Sequence, residues 1–244
     1  IRPENAAAIN QVKFLRRADL LHELGLIHLA AEELREVERT NEKNTPALKV
    51  IRDRYESFGL LDRALVVATR IANEDSSQST LSHLYPNYYW NEVVKASREA
   101  RLDPYLILAV IRQESFFNED AISRVGARGL MQIMPDTGRR LARSMGLQRF
   151  ESHFLFDPEV SIRMGSRFLG DQVRAFDEGA SSGMGFHLGL AAYNAGPHVA
   201  RKWMDRFPLK DSDAFIERIP YRETRLYVKK ILKNYTIYKA LANV

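Results

Sequence analysis

An internal repeat in the first third of the chain constrains its fold more than any other feature. Gly25 and Gly59 are 34 residues apart, and so are Ala30 and Ala64, which follow the two glycines. Each glycine permits a turn between two helices, and each alanine permits the paired helices to approach closely. The spacing of apolar residues places helices near 5–23, 26–39, 46–57 and 60–73. The segment is therefore predicted to form two consecutive helical hairpins.

A period of 34 residues is that of a tetratricopeptide-type hairpin, although the full consensus of that repeat is absent. Two hairpins are few for a free-standing array, which needs about three repeats. We therefore expect residues 1–80 to be the end of a longer solenoid or to lean on the next domain. A protein partner bound through these helices is a further expectation. The alternative is two ordinary hairpins that match by chance.

The polar stretch from Asn73 to Thr80 is the best candidate for a domain boundary. After it, no run of residues alternates convincingly between apolar and polar, so residues 81–244 are also predicted to be mainly helical. The predicted fold class is all-α, with helical hairpins in residues 1–80 and a second helical domain in residues 81–244.

Composition and short motifs exclude several classes of function. The net charge of +5 favours an anionic partner, but basic residues never form blocks longer than a pair, so no nucleic-acid groove is predicted. No apolar run is long enough to cross a membrane. The chain has no cysteine, its six histidines lack ligand spacing, and it has neither a P-loop nor a Gly-x-Ser-x-Gly elbow. We expect no metal and no cofactor.

Glu114 is the strongest candidate for a catalytic residue. Asp103-Pro104 predicts an N-cap and the first residue of a helix. Apolar residues at three- and four-residue spacing, up to Phe117, then place Glu114 on the face directed to the core. A carboxylate there is costly to ionise, so its pKa should rise, which suits a general acid near neutral pH. The alternative is a buried glutamate paired with an arginine for structural reasons.

Three later segments carry further candidates. Gly126 and Gly129 predict a loop whose backbone approaches another group closely, and the amide of Gln132, inside an apolar run, needs a partner from the protein or a ligand. Asn-Ala-Gly-Pro after Tyr193 ends its helix, so that the ring and hydroxyl can face a cleft. Pro220 precedes a long C-terminal helix with an apolar and aromatic stripe.

Taken together and in order, these segments resemble the soluble lytic transglycosylases, bacterial enzymes of the goose-type-lysozyme superfamily. The matching blocks are Glu114-Ser-Phe-Phe-Asn, Ala121-Ile-Ser, Gly126-Ala-Arg-Gly-Leu-Met-Gln-Ile-Met-Pro, Tyr193-Asn-Ala-Gly, and Ile219-Pro with Glu223-Thr-Arg-Leu-Tyr-Val. The resemblance covers about residues 85–240 and implies a lysozyme-like α domain. The preceding helical segment also resembles the superhelical portion found before this domain in some members. Ser161 departs from the pattern because asparagine is common there, which puts one structural hydrogen bond in doubt.

The resemblance implies an enzyme that cleaves the β-1,4 bond between N-acetylmuramic acid and N-acetylglucosamine in peptidoglycan without water and leaves a 1,6-anhydro ring. Glu114 would be the single catalytic carboxylate, acting first as acid and then as base. The residues implied to surround the substrate are Ser123, Gln132, Met134, Tyr193, Asn194, Glu223 and Tyr227. The resemblance also implies peptidoglycan as the anionic partner and the periplasm or cell envelope as the location.

Two other functions stay open at this stage. One is a muramidase on the same fold, which would need a second carboxylate to activate water, and Asp157 or Glu223 are the candidates. The other is a non-catalytic peptidoglycan-binding scaffold. Glu223 could instead have a structural role, as a charge at a helix N-terminus that satisfies the helix dipole. The Gly- and Ser-rich stretch Glu178–Gly185 is expected to be either a mobile rim of the cleft or a solvated loop.

Overall fold

The computed structural model describes residues 3–75, 77–177, 184–206 and 211–243, without the side chains of residues 3–10 and Gln78. The chain divides into two compact units, Ile1–Pro86 and Asn87–Val244. The assignment of residues 1–80 and 81–244 to a repeat domain and a catalytic domain stays a prediction. Residues 178–183 of the expected rim or loop lie outside the described residues.

The first unit consists of the predicted hairpins and one further short helix. Its helices are α1 (Pro3–Glu23), α2 (Ile27–Thr40), α3 (Thr45–Ser57), α4 (Leu61–Ala72) and α5 (Gln78–Leu84). The four helices predicted from the sequence are confirmed to within a few residues at each end.

The repeated glycines end their helices in the same way. Gly25 has φ +74° and Gly59 has φ +77°, both in the left-handed region that favours glycine. The next N–H, of Leu26 or Leu60, donates to a carbonyl five residues earlier at 2.8 Å in both cases, as in a Schellman motif. The repeated alanines, Ala30 and Ala64, are fully buried. The 34-residue period therefore corresponds to a repeated turn and a repeated buried alanine.

A buried carboxylate connects the helices of the first unit. Glu38 on α2 accepts hydrogen bonds from the Tyr55 hydroxyl and from Arg63, both at 2.9 Å, and forms an ion pair with Arg70 at 2.8 Å. These partners lie on α3 and α4, so one charge joins three helices. A buried charge with several partners is tolerated because each of its oxygens has a hydrogen-bond or ion-pair partner.

The second unit is also helical. Its helices are α6 (Trp90–Ala100), α7 (Pro104–Glu114), α8 (Pro135–Ser144), α9 (Pro158–Asp177), α10 (Gly185–Ala195), α11 (Pro197–Arg206), α12 (Ser212–Arg218) and α13 (Arg222–Ala242), with a 3-10 helix at Ser152–Phe156. The all-α prediction is confirmed, since residues 3–75, 77–177, 184–206 and 211–243 contain only isolated β-bridges and no strand. In the same ranges, no helix is long and apolar enough to cross a membrane.

The helix α7 brings Glu114 to its position. The Asp103 side chain accepts the Tyr105 N–H at 2.8 Å, as an N-cap does, and residues 106–111 are all buried. A helix buried all round belongs in the centre of its domain. The predicted continuation of its apolar stripe to Phe117 is wrong. The helix ends at Glu114 because Phe116 and Phe117 adopt left-handed backbone, with φ +57° and +66°.

The loop between α7 and α8 packs against the 3-10 helix through a glycine. Gly129 has φ +73°, and its N–H donates to the Ala121 carbonyl at 2.9 Å. A Cβ at this position would overlap the Leu155 carbonyl oxygen. The close backbone approach predicted from Gly126 and Gly129 is therefore confirmed at Gly129, where the neighbouring group belongs to the protein itself.

Gly129→Ala should destabilise the protein more than Gly126→Ala. Both glycines have positive φ, so both substitutions cost about 1–2 kcal/mol of backbone strain. Only Gly129 lacks space for a Cβ, since nothing lies within 4 Å of the Cβ position at Gly126. The steric overlap should add about 1–3 kcal/mol. Urea unfolding of the two variants measures the difference, and equal losses would contradict this packing.

Candidate active site

Three helices of the second unit bring Glu114 and two tyrosines together. Glu114 is the last residue of α7, Tyr193 lies in the last turn of α10, and Tyr227 lies in the second turn of α13. Helix α13 packs against both α7 and α10. Burial, and then the charge of Glu114, raise the pKa of both tyrosine hydroxyls. Residues far apart in sequence therefore form one electrostatically coupled group.

The carboxyl of Glu114 is poised to exchange a proton near neutral pH. Burial raises its pKa from the ordinary value of 4.5 to about 7, and the hydrogen bond from Tyr227 opposes that rise. The direction is the one predicted from the apolar surroundings of the sequence. The Tyr227 hydroxyl donates to Oε1 at 2.5 Å. Oε2 is thus the oxygen that can hold the exchangeable proton.

The hydroxyl of Tyr193 is directed to the loop rather than to Glu114. It donates to the main-chain oxygen of Met131 at 2.7 Å. Burial, and then the charge of Glu114, raise the pKa of Tyr193 well above its ordinary value. The hydroxyl therefore stays protonated and donates its hydrogen bond to the Met131 carbonyl. Its lone pairs are directed elsewhere.

The polar candidate residues of the loop form hydrogen bonds within the loop itself. The Gln132 amide donates to the carbonyls of Ala121 at 3.1 Å and Gly129 at 2.9 Å, and its own backbone has φ +49°. The Ser123 hydroxyl oxygen accepts the Ala127 N–H at 3.0 Å. Met134, in contrast, exposes 40% of its surface beside the start of α8. These contacts make Gln132 and Ser123 supports of the loop, whatever else they touch.

The start of α13 is fixed to the end of α10. The buried Thr224 hydroxyl donates to the Asn194 side-chain oxygen at 2.7 Å. Asn194 follows Tyr193 directly, and Glu223 precedes Thr224 on the exposed side of the first turn. This bond holds the two helix ends in register, which gives Asn194 a structural role at the turn.

The two carboxylates considered as a second catalytic group differ in their surroundings. The Asp157 side chain accepts the Val160 N–H at 3.0 Å, which makes it a cap at the start of α9. Glu223 is exposed in the first turn of α13, where a negative charge also complements the helix dipole. Asp157 therefore already has a structural role as a helix cap, and the charge of Glu223 complements the dipole of α13.

The main chain of Met131 connects Ser161 to Tyr193, and no sequence motif indicated this connection. The sequence assigns no role to Met131, but its main chain contacts two of the groups described here. Its carbonyl accepts from Tyr193, and its N–H donates to the Ser161 hydroxyl oxygen at 3.2 Å. The structural hydrogen bond placed in doubt at Ser161 is therefore present. The sequence marked Ser161 as a departure from the usual asparagine but did not indicate its partner.

This part of the chain matches a known protein family. The model of the transglycosylase SLT domain matches residues 91–216, which is more than half of the chain and contains Glu114 and Tyr193. The chain belongs to the transglycosylase SLT domain family. A second model, of the soluble lytic transglycosylase helical domain, matches residues 218–244 and so falls on α13.

Several relatives of this family are similar over part of their length. The soluble lytic murein transglycosylase of Escherichia coli K12 is 38% identical over 134 residues, which are 54% of this chain and 20% of that protein. A putative soluble lytic murein transglycosylase of Haemophilus influenzae is 32% identical over 164 residues, 67% of this chain and 27% of that protein. The chain therefore spans about a quarter or less of the length of these relatives.

A solved structure extends the likeness to the helical hairpins. It is the lytic transglycosylase Slt of Pseudomonas aeruginosa, crystallised as an inactive variant with glutamine in place of a glutamate. It aligns with a TM-score of 0.74 at 30% identity, covering 93% of this chain and 35% of that one. The alignment thus includes much of the unit Ile1–Pro86. The predicted SLT fold, a helical superhelix with a lysozyme-like domain, is confirmed.

Glu114→Gln should stabilise the protein more at pH 8 than at pH 4. The carboxyl has a pKa of about 7 in the folded protein and about 4.3 in an unfolded chain. Between these values the folded state retains a proton that the unfolded state has lost, so wild-type stability falls as the pH rises. Glutamine cannot ionise and avoids that loss.

Melting temperatures measured at both pH values test this expectation. The difference between Glu114→Gln and the wild type should grow by roughly 3 °C or more from pH 4 to pH 8. Glu32→Gln is the control because Glu32 is exposed on α2, and its difference should not grow. A constant difference for Glu114→Gln would show that its carboxyl ionises as freely as one in water.

Proposed function

We propose that this chain is the catalytic part of a peptidoglycan lytic transglycosylase, which cleaves the bond between N-acetylmuramic acid and N-acetylglucosamine without water. The observation that carries the proposal is the Glu114 carboxyl, whose burial raises its pKa to about 7 and whose Oε1 is held by Tyr227. Membership of the SLT family and relatives named as murein transglycosylases support it.

Glu114 would serve as acid and then as base. The protonated Oε2 gives its proton to the glycosidic oxygen as the bond to C1 of the muramyl residue breaks. The resulting carboxylate then takes the proton of the 6-hydroxyl as that oxygen bonds to C1. The proton lost in the first half returns in the second, so Glu114 is regenerated and no water is consumed. A pKa near the working pH suits a group that must both give and take a proton.

Tyr193 would act as a hydrogen-bond acceptor at the cleavage point. The Tyr193 hydroxyl already donates its hydrogen bond to the Met131 carbonyl oxygen, with 2.7 Å between the two oxygens. Only the lone pairs of the hydroxyl oxygen therefore remain for the substrate. Such an oxygen can accept from the N–H of the N-acetyl group, or face the positive charge that develops at C1. Its high pKa keeps it neutral, so it does not become a second base.

The remaining expectations follow from this activity. Ser123, Gln132, Met134, Asn194 and Glu223 would border the sugar site, with Gln132 and Ser123 also supporting the loop. Cleavage of peptidoglycan would place the protein in the periplasm or cell envelope. The helices of residues 1–80 would continue a superhelix or hold a protein partner. The net charge of +5 would favour the acidic stem peptides of the substrate.

Mass spectrometry of the products tests the proposed reaction. Purified peptidoglycan treated with the protein should release muropeptides one water lighter than their reducing counterparts. Glu114→Gln should release none, while Glu217→Gln, altered on the exposed surface of α12, should match the wild type. Reducing muramic acid ends would show hydrolysis instead. If neither the wild type nor Glu217→Gln released any product, the chain would be a binding module instead of an enzyme.

Tyr227→Phe should move the alkaline limb of the activity profile to higher pH. The Tyr227 hydrogen bond lowers the pKa of Glu114, so its removal should raise that pKa by at least about half a unit. The pH dependence of kcat/KM reports the acid of the free enzyme. Tyr235→Phe is the matched control because its hydroxyl bonds Asp103, at the opposite end of α7. A downward shift for Tyr227→Phe would contradict the assigned bond.

A further inference from the structure

We propose that Ser161 is a positioning residue for the reaction, which sets the direction of the Tyr193 hydroxyl through the main chain of Met131. The inference rests on the proposed function, in which Tyr193 offers its lone pairs to the substrate. Ser161 lies in the first turn of α9 and has no exposed surface. It therefore acts on the substrate through other groups only.

Two hydrogen bonds on one residue form the connection. The Ser161 hydroxyl oxygen accepts the Met131 N–H at 3.2 Å, and the Met131 carbonyl accepts the Tyr193 hydroxyl at 2.7 Å. Met131 is itself fully buried, so water cannot replace either partner without a rearrangement. The orientation of the Met131 main chain thus depends on α9 on one side and determines the Tyr193 hydroxyl on the other.

The surrounding loop makes this bond necessary. Gly129 and Gln132, on either side of Met131, have φ +73° and +49°, a region that costs a residue other than glycine about 1–2 kcal/mol. The Met131 side chain lies against Gly165 of α9, where an added Cβ would overlap it. The loop is thus held close to α9 in a conformation that it would not adopt alone. Without the serine oxygen, a buried N–H loses its partner and the peptide has reason to turn.

The consequence reaches the hydroxyl of Tyr193. While the Met131 carbonyl stays in place, the hydroxyl proton points to it and the lone pairs point elsewhere. If the carbonyl turns away, the proton can rotate and the oxygen no longer presents a fixed acceptor. A group that must meet a developing charge loses much of its effect when it is misdirected.

The chain contains a matched control on the same helix. Ser166 is as fully buried as Ser161 and also contacts Met131, but its hydroxyl meets the thioether sulfur at 3.8 Å. A thioether is a weak acceptor, and this contact does not involve the Met131 main chain. Ser166→Ala thus removes the same hydroxyl group from the same helix without touching the proposed connection.

Steady-state kinetics on peptidoglycan compares the two serines. Ser161→Ala should lower kcat at least about tenfold with KM changed less, while Ser166→Ala stays within about twofold of the wild type. In a Tyr193→Phe background, Ser161→Ala should cause no further loss, since it acts through that hydroxyl. Independent, multiplying losses would overturn the proposal, and so would an unchanged kcat. If the alanine variant does not fold, Ser161→Cys, with a weaker acceptor, takes its place.

A second measurement does not depend on catalysis. Solvent exchange of the Tyr193 hydroxyl proton, followed by NMR of ¹³C-labelled tyrosine, should be faster in Ser161→Ala than in Ser166→Ala or the wild type. Equal rates would overturn the proposal. If the wild type releases no muropeptide, the proposed function fails, but the exchange rates still decide whether Ser161 directs this hydroxyl.

Discussion

The burial of one carboxyl is the constraint on which the second unit depends. Glu114 terminates a helix whose residues 106–111 are all inside the protein, and its charge is met by a tyrosine 113 positions later. An ionised carboxylate in such buried surroundings is stable only beside hydrogen-bond donors. The helix ends that carry those donors must therefore be held in fixed positions. The chain leaves the helix directly after Glu114 because Phe116 and Phe117 adopt left-handed backbone. The Thr224–Asn194 bond then holds α13 against α10.

The loop after Glu114 shows how the site is supported. Its polar side chains mostly hold the loop in shape, and its one fully buried methionine links α9 to the tyrosine at the end of α10. A reaction centre that must stabilise charge as it develops needs groups whose direction is fixed beforehand. Here the fixed direction comes from main-chain groups, which side-chain motifs alone do not reveal.

Much of the local structure could be predicted from the sequence because it depends on neighbours in the chain. Glycine spacing located the turns at Gly25 and Gly59, and Asp103-Pro104 located the start of α7. The apolar surroundings of Glu114 also indicated the direction of its pKa. The end of α7 could not be predicted because it is set by left-handed backbone at Phe116 and Phe117, which bulky residues rarely adopt. The partners of Gln132 and Ser161 could not be predicted because they come from the folded loop. The roles of the candidate substrate residues stay predictions until tested.

The proposed role of Glu114 requires that its carboxyl hold a proton near neutral pH, and the titration of this one group measures whether it does. Carboxyl ¹³C NMR of protein labelled at glutamate, with Glu114→Gln used to assign the signal, follows this one group across the pH range. Because the carboxyl is buried, we expect a midpoint at about pH 7. A midpoint near the ordinary value of 4.5 would mean that the carboxyl is solvated and ionised at neutral pH, and it would contradict the role of Glu114 as the acid.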